Sequence, residues 1–457
     1  LNNYYISYMK KFIGSDRGQG MLMPYDLGDW LPESHLARFV VEIVDKLDFK
    51  RVYADYKGVG STAYDPRMLL SLLVYGYSTG IFSSRKIENS TYDSVAFRFI
   101  AGNHHPDHDT ISAFRKRFLS EIKVWFKEIL LIGKELGLVK LGNIYIDGTK
   151  IQSNASRHKA MSYEYIQKLE KQLEGEIDKL LDLATAKDES EKDFGLDIPK
   201  ELELRKDRLS KIQEAKRVVE QRASERYQKE KEEYDAKMEE RKQKKEKTGK
   251  NPRGKEPKFP TNQPNDKDQY NFTDPESRIM KTSRGFDQCY NGQAVVNDDM
   301  VIVGAYSNSH VNDKQEFIPA IESVPEELSS EISAAVADAG YFSEKNIAGC
   351  EHKDISPVIS TSREKHNNFL FNILNPEPTD DVLCATPVQR MTQKLKSEEG
   401  KEIYKKRKQT VEPVFGVIKE ILGFRRFSLR GEAETDAEWS LVCSAYNLKR
   451  FFKMQMA

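Results

Sequence analysis

Three acidic residues stand in contexts that favour chemistry over plain solvation. The first is Asp147, in the stretch Asn143–Arg157, NIYIDGTKIQSNASR. Ile144, Tyr145 and Ile146 have strand-forming side chains bracketed by Gly142 and Gly148, which reads as a buried strand ending at an acid. A carboxylate buried there needs a cation, a cage of hydrogen bonds or a metal. The pattern returns in AAVADAG, where Ala334 to Ala337 read as a second buried strand, Asp338 stands at its end, and Ala339-Gly340 makes a turn. The third acid, Glu412, lies in a basic helical stretch, YKKRKQTVEPVFGVIKEI, that begins at Tyr404. One Asp at a strand end is more often a turn or a helix cap. Three acids in this order, the last among basic residues, are a stronger signal.

With those residues in view, the chain resembles the bacterial insertion-sequence DDE transposases, especially the branch with an InsH-type N-terminal domain. In that family the first Asp lies on the first strand of an RNase H-like sheet, the second just after the fourth strand, and the Glu on a later helix. Asp147, Asp338 and Glu412 match those places. The family signature around the Glu is a Tyr, an Arg, the Glu and a Lys seven residues on, matched here by Tyr404, Arg407, Glu412 and Lys419. The step from Arg407 to Glu412 is one residue longer than the family pattern, so either Arg407 or Lys408 takes the Arg place. The resemblance runs from about Leu36 to Met454, apart from a charged insertion. It implies that Asp147, Asp338 and Glu412 are both catalytic and metal-holding, with two Mg²⁺ ions or Mn²⁺ in their place. It also implies that Tyr404, Arg407 and Lys419 hold the DNA backbone near the cut, and that the protein works as a homodimer on the element ends and target DNA.

The residue types suit that chemistry. Cutting and joining DNA is an in-line displacement at phosphorus, and two divalent ions about 3.5–4 Å apart can serve the attacking and the leaving oxygen. Hard cations take oxygen ligands, and Mg²⁺ keeps some of its waters, so a few carboxylates suffice. Without a metal, three acids at one point would repel one another and take up protons; the ions' charge reverses that preference.

Composition sets the frame for these residues. The 457 residues suffice for two or three domains, and 72 basic side chains balance 72 acidic ones. The balance hides a local excess: from Lys401 to Arg430 there are nine Lys or Arg against three Glu, the footprint of a phosphate-facing surface. Cys289, Cys350, Cys384 and Cys443 have no paired spacing, which points to a reduced protein without a zinc module. No stretch reads as a secretory leader or offers about 18 consecutive apolar residues, so the expected location is the cytoplasm, with no membrane partner.

The elements that must position the acids follow in order. Residues 1–135 read as an all-helical domain for DNA binding and dimerisation. In it a helix after Pro106-Asp107, capped by Asp109 or Thr110, carries Arg115, Lys116 and Arg117 as phosphate contacts. His104, His105 and His108 lack a second ligand pair at finger-like spacing, so capping outweighs zinc there. Residues 136–159 form the first part of the catalytic domain, in which Lys150 and Asn154 are donors close to Asp147; in the family this region lies beside the DNA ends, which implies that both contact DNA. In residues 160–268 apolar positions three and four apart, from Ile166 to Leu180 and again from Leu202 to Val219, predict a helical hairpin or coiled coil, and 241–268 reads as a solvated linker. Residues 269–457 complete the domain. Gln288 to Val296 and Met300 to Ser307 form a hairpin, Asp313 caps a helix, Asp354 to Ile359 is a fifth strand, and Ala437 to Met454 is an amphipathic helix with Trp439 and Phe452 inward and Lys449 and Arg450 outward. The fold class expected is therefore mixed α+β or α/β: an RNase H-like domain with a five-stranded mixed sheet, interrupted by a helical insertion and preceded by helices. The function expected is a DNA transposase that cleaves and transfers strands. The alternatives are a structure-specific nuclease of the same fold that cannot rejoin ends, and an inactive DNA-binding relative.

Overall fold

The computed structural model describes residues 26–56, 62–190, 197–249, 256–361 and 387–456. Cys384, residues 1–25 and part of the expected linker lie outside them. Two compact units emerge, one ending at Arg117 and the other running from Phe118 to Gln455.

The first unit is helical: α1 (Leu36–Asp45), α2 (Lys50–Asp55), α3 (Pro66–Ser78), α4 (Ser84–Asp93), α5 (Val95–Ile100) and α6 (His108–Arg117). Its cores follow the apolar spacing, with Phe39, Val40, Ile43 and Val44 buried on α1. Asp65 caps α3 by accepting the Arg67 N–H at 2.8 Å, with Pro66 at the first helical position. The cap of α6 differs from the one expected. Because the helix begins at His108, the carboxylate of Asp107, one residue earlier, reaches the Thr110 N–H at 2.6 Å.

The second unit opens with α7 (Leu119–Glu135), which buries Trp125, Phe126, Ile129 and Leu130. This helix packs against the last helix of the chain. The unit boundary therefore falls at Phe118, whereas the sequence suggested residue 135. Next come β1 (Asn143–Gln152), β2 (Ala160–Ser162), α8 (Tyr163–Ser190), α9 (Ile198–Thr248), β3 (Gln269–Asn271), β4 (Arg278–Thr282), β5 (Gly285–Asn297) and β6 (Ile302–Asn308). They are followed by α10 (Phe317–Glu322), α11 (Glu326–Ser329), β7 (Ala334–Ala337), α12 (Glu344–Glu351), β8 (Ser356–Ile359), α13 (Pro387–Lys396), α14 (Glu398–Gly416) and α15 (Glu432–Gln455).

Among the described residues the main sheet has six strands, one more than expected, in the order β4-β5-β1-β7-β8 with β6 also paired to β5. The extra strand is β4, which turns back on the start of β5 through Thr282–Gly285; its polar sequence concealed it. β1 is central, antiparallel to β5 and parallel to β7, and Ile144, Tyr145 and Ile146 are fully buried. A strand covered on both faces reads as an unbroken apolar run, as this one does. β1 does not end at Asp147, however. The parallel ladder with β7 stops at Tyr145, while the antiparallel ladder with β5 continues to Gln152. The residues after Asp147 are thus strand residues with alternating faces, not a strand exit.

The insertion is a helical hairpin. Ile166, Leu169 and Leu173 of α8 pack with Ile212 and Ala215 of α9. Its base is closed by the small β2–β3 sheet and by the Arg226–Asp268 ion pair at 3.0 Å. α9 extends to Thr248, so residues 241–248 are helix and not linker.

The closing helix is longer and more deeply covered than an amphipathic one. From Thr435 to Leu448 every residue of α15 is buried, and the inward ring near its end is Phe451, not Phe452. Trp439 is fully buried and donates to the Gln293 carbonyl at 2.9 Å.

Candidate active site

The middle of β1, the end of the neighbouring strand β7 and one helix supply the acids. Asp338 follows β7 directly and caps the turn Ala339–Tyr341, accepting the Gly340 N–H at 2.8 Å. Asp147, on β1, accepts the Gly148 N–H at 2.8 Å. Glu412 sits late in α14, immediately before Pro413, which lies inside the helix. Proline there removes one helical hydrogen bond, and the helix passes into a π-helical turn at Val417–Ile421.

Arg407 joins the elements. One of its terminal nitrogens reaches Asp147 at 3.2 Å and the other reaches Glu412 at 3.3 Å, while its guanidinium lies 5.9 Å from the centre of the Tyr404 ring. The side chain is buried, and its Nε has no hydrogen-bond partner among the described residues. Of the two candidates for the Arg place, Arg407 is therefore the residue between the acids. Asp338 also acts electrostatically on both Asp147 and Arg407.

Burial pushes the Asp147 carboxyl up to about 7; Arg407 opposes that shift, and the negative charge of Asp338 adds to it. The site therefore disfavours a bare anion at Asp147 and favours any cation placed beside it. Among the described residues, no three His, Cys, Asp or Glu side chains form a group that could hold a metal ion. The cation between Asp147 and Glu412 in this structure is the guanidinium of Arg407.

The residues expected to touch DNA have mostly internal partners. Lys419 donates to the Lys150 carbonyl at 2.9 Å, and burial lowers the pKa of its amine. Lys150 reaches Asp313 at 3.2 Å, and Asn154 donates to the Ser428 carbonyl at 2.8 Å. In the first unit Arg115 is buried against the Tyr77 hydroxyl at 2.6 Å, and Arg117 is paired with Asp55 at 2.6 Å. Its histidines also have separate partners: His108 pairs with Glu88, and His105 stacks on Tyr92.

A fourth acid was missed. Asp313 does not cap α10; it starts a separate 3₁₀ turn, Asp313–Gln315, and its Oδ1 accepts from Lys150, Asn291 and Gln293. The only sequence signal was the polar Asn291 and Gln293 inside an otherwise apolar strand.

The sheet and its acids define a carboxylate centre assembled from two neighbouring parallel strands and a helix around a buried arginine. Two family models match this chain: Transposase domain (DUF772) over residues 25–117 and Transposase DDE domain over residues 381–452. Both matches indicate a transposase, and together they support an insertion-sequence DDE transposase. No curated protein and no solved structure matches the chain.

Proposed function

We propose that the protein binds the ends of its element and catalyses metal-dependent DNA cleavage and strand transfer. The observation that carries this is the convergence of Asp147 and Glu412 on Arg407, with Asp338 acting on Asp147 and Arg407. The strand order, with β1 between antiparallel β5 and parallel β7, supports an RNase H-like catalytic domain. The described residues contain no helix long and apolar enough to cross a membrane.

The three acids do not stand together as a ready site in this structure, but their donor chemistry suits divalent cations on two grounds. The donors are all carboxylate oxygens, as hard cations require. A cation, the Arg407 guanidinium, already stands between two of them. Asp147, Asp338 and Glu412 would hold Mg²⁺ or Mn²⁺. A bound pair of ions supplies charge neutralisation at phosphorus and help to the attacking and leaving oxygens. The chain's own part is to hold those carboxylates in place and, in Arg407 and Tyr404, to supply donors for the DNA backbone. The helical first unit is the DNA-binding and dimerisation part, and two protomers act together because two ends must be joined.

The test is strand transfer: a labelled element end with a free 3′ hydroxyl, a target plasmid and Mg²⁺. Joined product supports the reading. Cleavage without joining identifies a nuclease, and neither reaction with intact end binding identifies an inactive relative. Light scattering with and without end DNA tests the dimer.

A further inference from the structure

We infer that Asp313 is a positioning residue that fixes the stretch of β1 carrying Asp147 and, through Gln293 and Tyr341, the turn carrying Asp338, and thereby supports cation binding by those two acids. The inference rests on the metal-dependent reading above and deepens it.

The support comes from the face of β1 opposite Asp147. Successive strand residues point to opposite faces, so Gly148 and Lys150 share the face away from Asp147. Their partners across the sheet are Gln293 and Asn291, both fully buried. Buried amides must find partners, and these two find the same one. Asp313 Oδ1 accepts from Asn291 Nδ2 at 2.6 Å, from Gln293 Nε2 at 3.0 Å and from the Lys150 ammonium at 3.2 Å. One carboxylate oxygen therefore ties two residues of β5 to the strand that carries Asp147.

The same network reaches the second acid. Gln293 Oε1 accepts from the Tyr341 hydroxyl at 2.6 Å, and Tyr341 closes the short turn that Asp338 caps. Asn346 fastens this turn to the Asp313 turn, donating to the Tyr341 carbonyl at 2.6 Å and to the Lys314 carbonyl at 2.9 Å. Space is left for nothing else: a Cβ at Gly148 would lie 2.9 Å from both Asp313 Oδ1 and Asn291 Oδ1. Asp313, Gln293 and Tyr341 thus form one polar chain from behind Asp147 to the turn at Asp338. Groups that orient metal-holding side chains typically matter about 10–100-fold to metal affinity.

The experiment measures Mn²⁺ binding to the full chain by electron paramagnetic resonance, beside thermal melting and binding of end DNA. Wild type is expected to bind Mn²⁺, and Asp147→Asn to lose it; if wild type binds none, the metal-dependent reading itself fails. Given that control, Asp313→Ala is expected to weaken Mn²⁺ binding about tenfold or more with end binding unchanged. Asp313→Asn should recover most of the loss, because its carbonyl still accepts from both amides. Tyr341→Phe, which removes only one hydroxyl, should weaken binding at least about threefold and decides the matter if Asp313→Ala does not fold. Mn²⁺ affinity within twofold of wild type in a folded Asp313→Ala, or in Tyr341→Phe, overturns the inference.

Discussion

Asp147 and Asp338 each stand two residues beyond the same register pair, Tyr145 and Val336, on neighbouring parallel strands. Adjacent strands run about 4.8 Å apart, so this register alone brings two carboxyls from distant parts of the chain to one edge of the sheet. The helix carrying Glu412 closes the group from the side through Arg407.

Removing any one acid should stop the chemistry and spare recognition. Asp147→Ala, Asp338→Ala and Glu412→Gln are each expected to lower cleavage of a plasmid-borne end by at least about a thousandfold, with gel-shift affinity for the end unchanged. Cleavage by Glu412→Gln at the wild-type rate would remove that residue from the set.

Arg407 should stabilise the metal-free protein. Arg407→Gln leaves Asp147 and Glu412 without their shared cation, and the buried site should cost about 1–3 kcal/mol of stability. Mg²⁺ should restore part of the loss. Chemical denaturation with and without Mg²⁺ checks both, and an equal loss in the two conditions would separate Arg407 from the metal centre.

The pH dependence has a definite sign. Asp147 titrates at about 7 in the folded chain and in the ordinary carboxylate range when unfolded, because burial and Asp338 disfavour its anion. A folded pKa above the unfolded one gives stability that is full below the unfolded value and is lost as pH rises through about 7. The metal-free protein should therefore melt at a lower temperature at pH 8 than at pH 5, and the difference should shrink in Asp147→Asn. Metal binding should run the opposite way and strengthen across that range.

Exposed and internal cations should separate by salt. Lys405 and Arg426 are exposed, and Lys405→Ala or Arg426→Ala should each lower the salt slope of end binding by about 1. Lys419 instead holds the β1 backbone at Lys150, so Lys419→Met should cost about 1 kcal/mol of stability. Fluorescence anisotropy across a salt series, beside urea melts, distinguishes the two behaviours. A steeper change for Lys419→Met would make its amine a phosphate contact.

Gly148→Ala tests the packing behind Asp147. The added methyl meets Gln293, Asn291 and Asp313, and a loss of about 1–3 kcal/mol in urea melts is expected. A variant as stable as wild type would mean that these side chains yield easily.

The sequence by itself determined the acids and the elements that carry them. Apolar runs without alternation marked β1 and β7 because strands covered on both faces have no polar side, and helical spacing marked the hairpin of the insertion. Local signals did not show where strands end or what polar residues face. β4 looked like loop because its stabilisation comes from pairing with β5, and Asp313 looked like a helix cap because its three donors lie on β1 and β5. Lys419, Asn154 and Arg115 looked like phosphate contacts for the same reason. A lysine or arginine reads alike in sequence whether it meets DNA or a carbonyl of its own chain, and only the tertiary register decides which partner lies within hydrogen-bond reach.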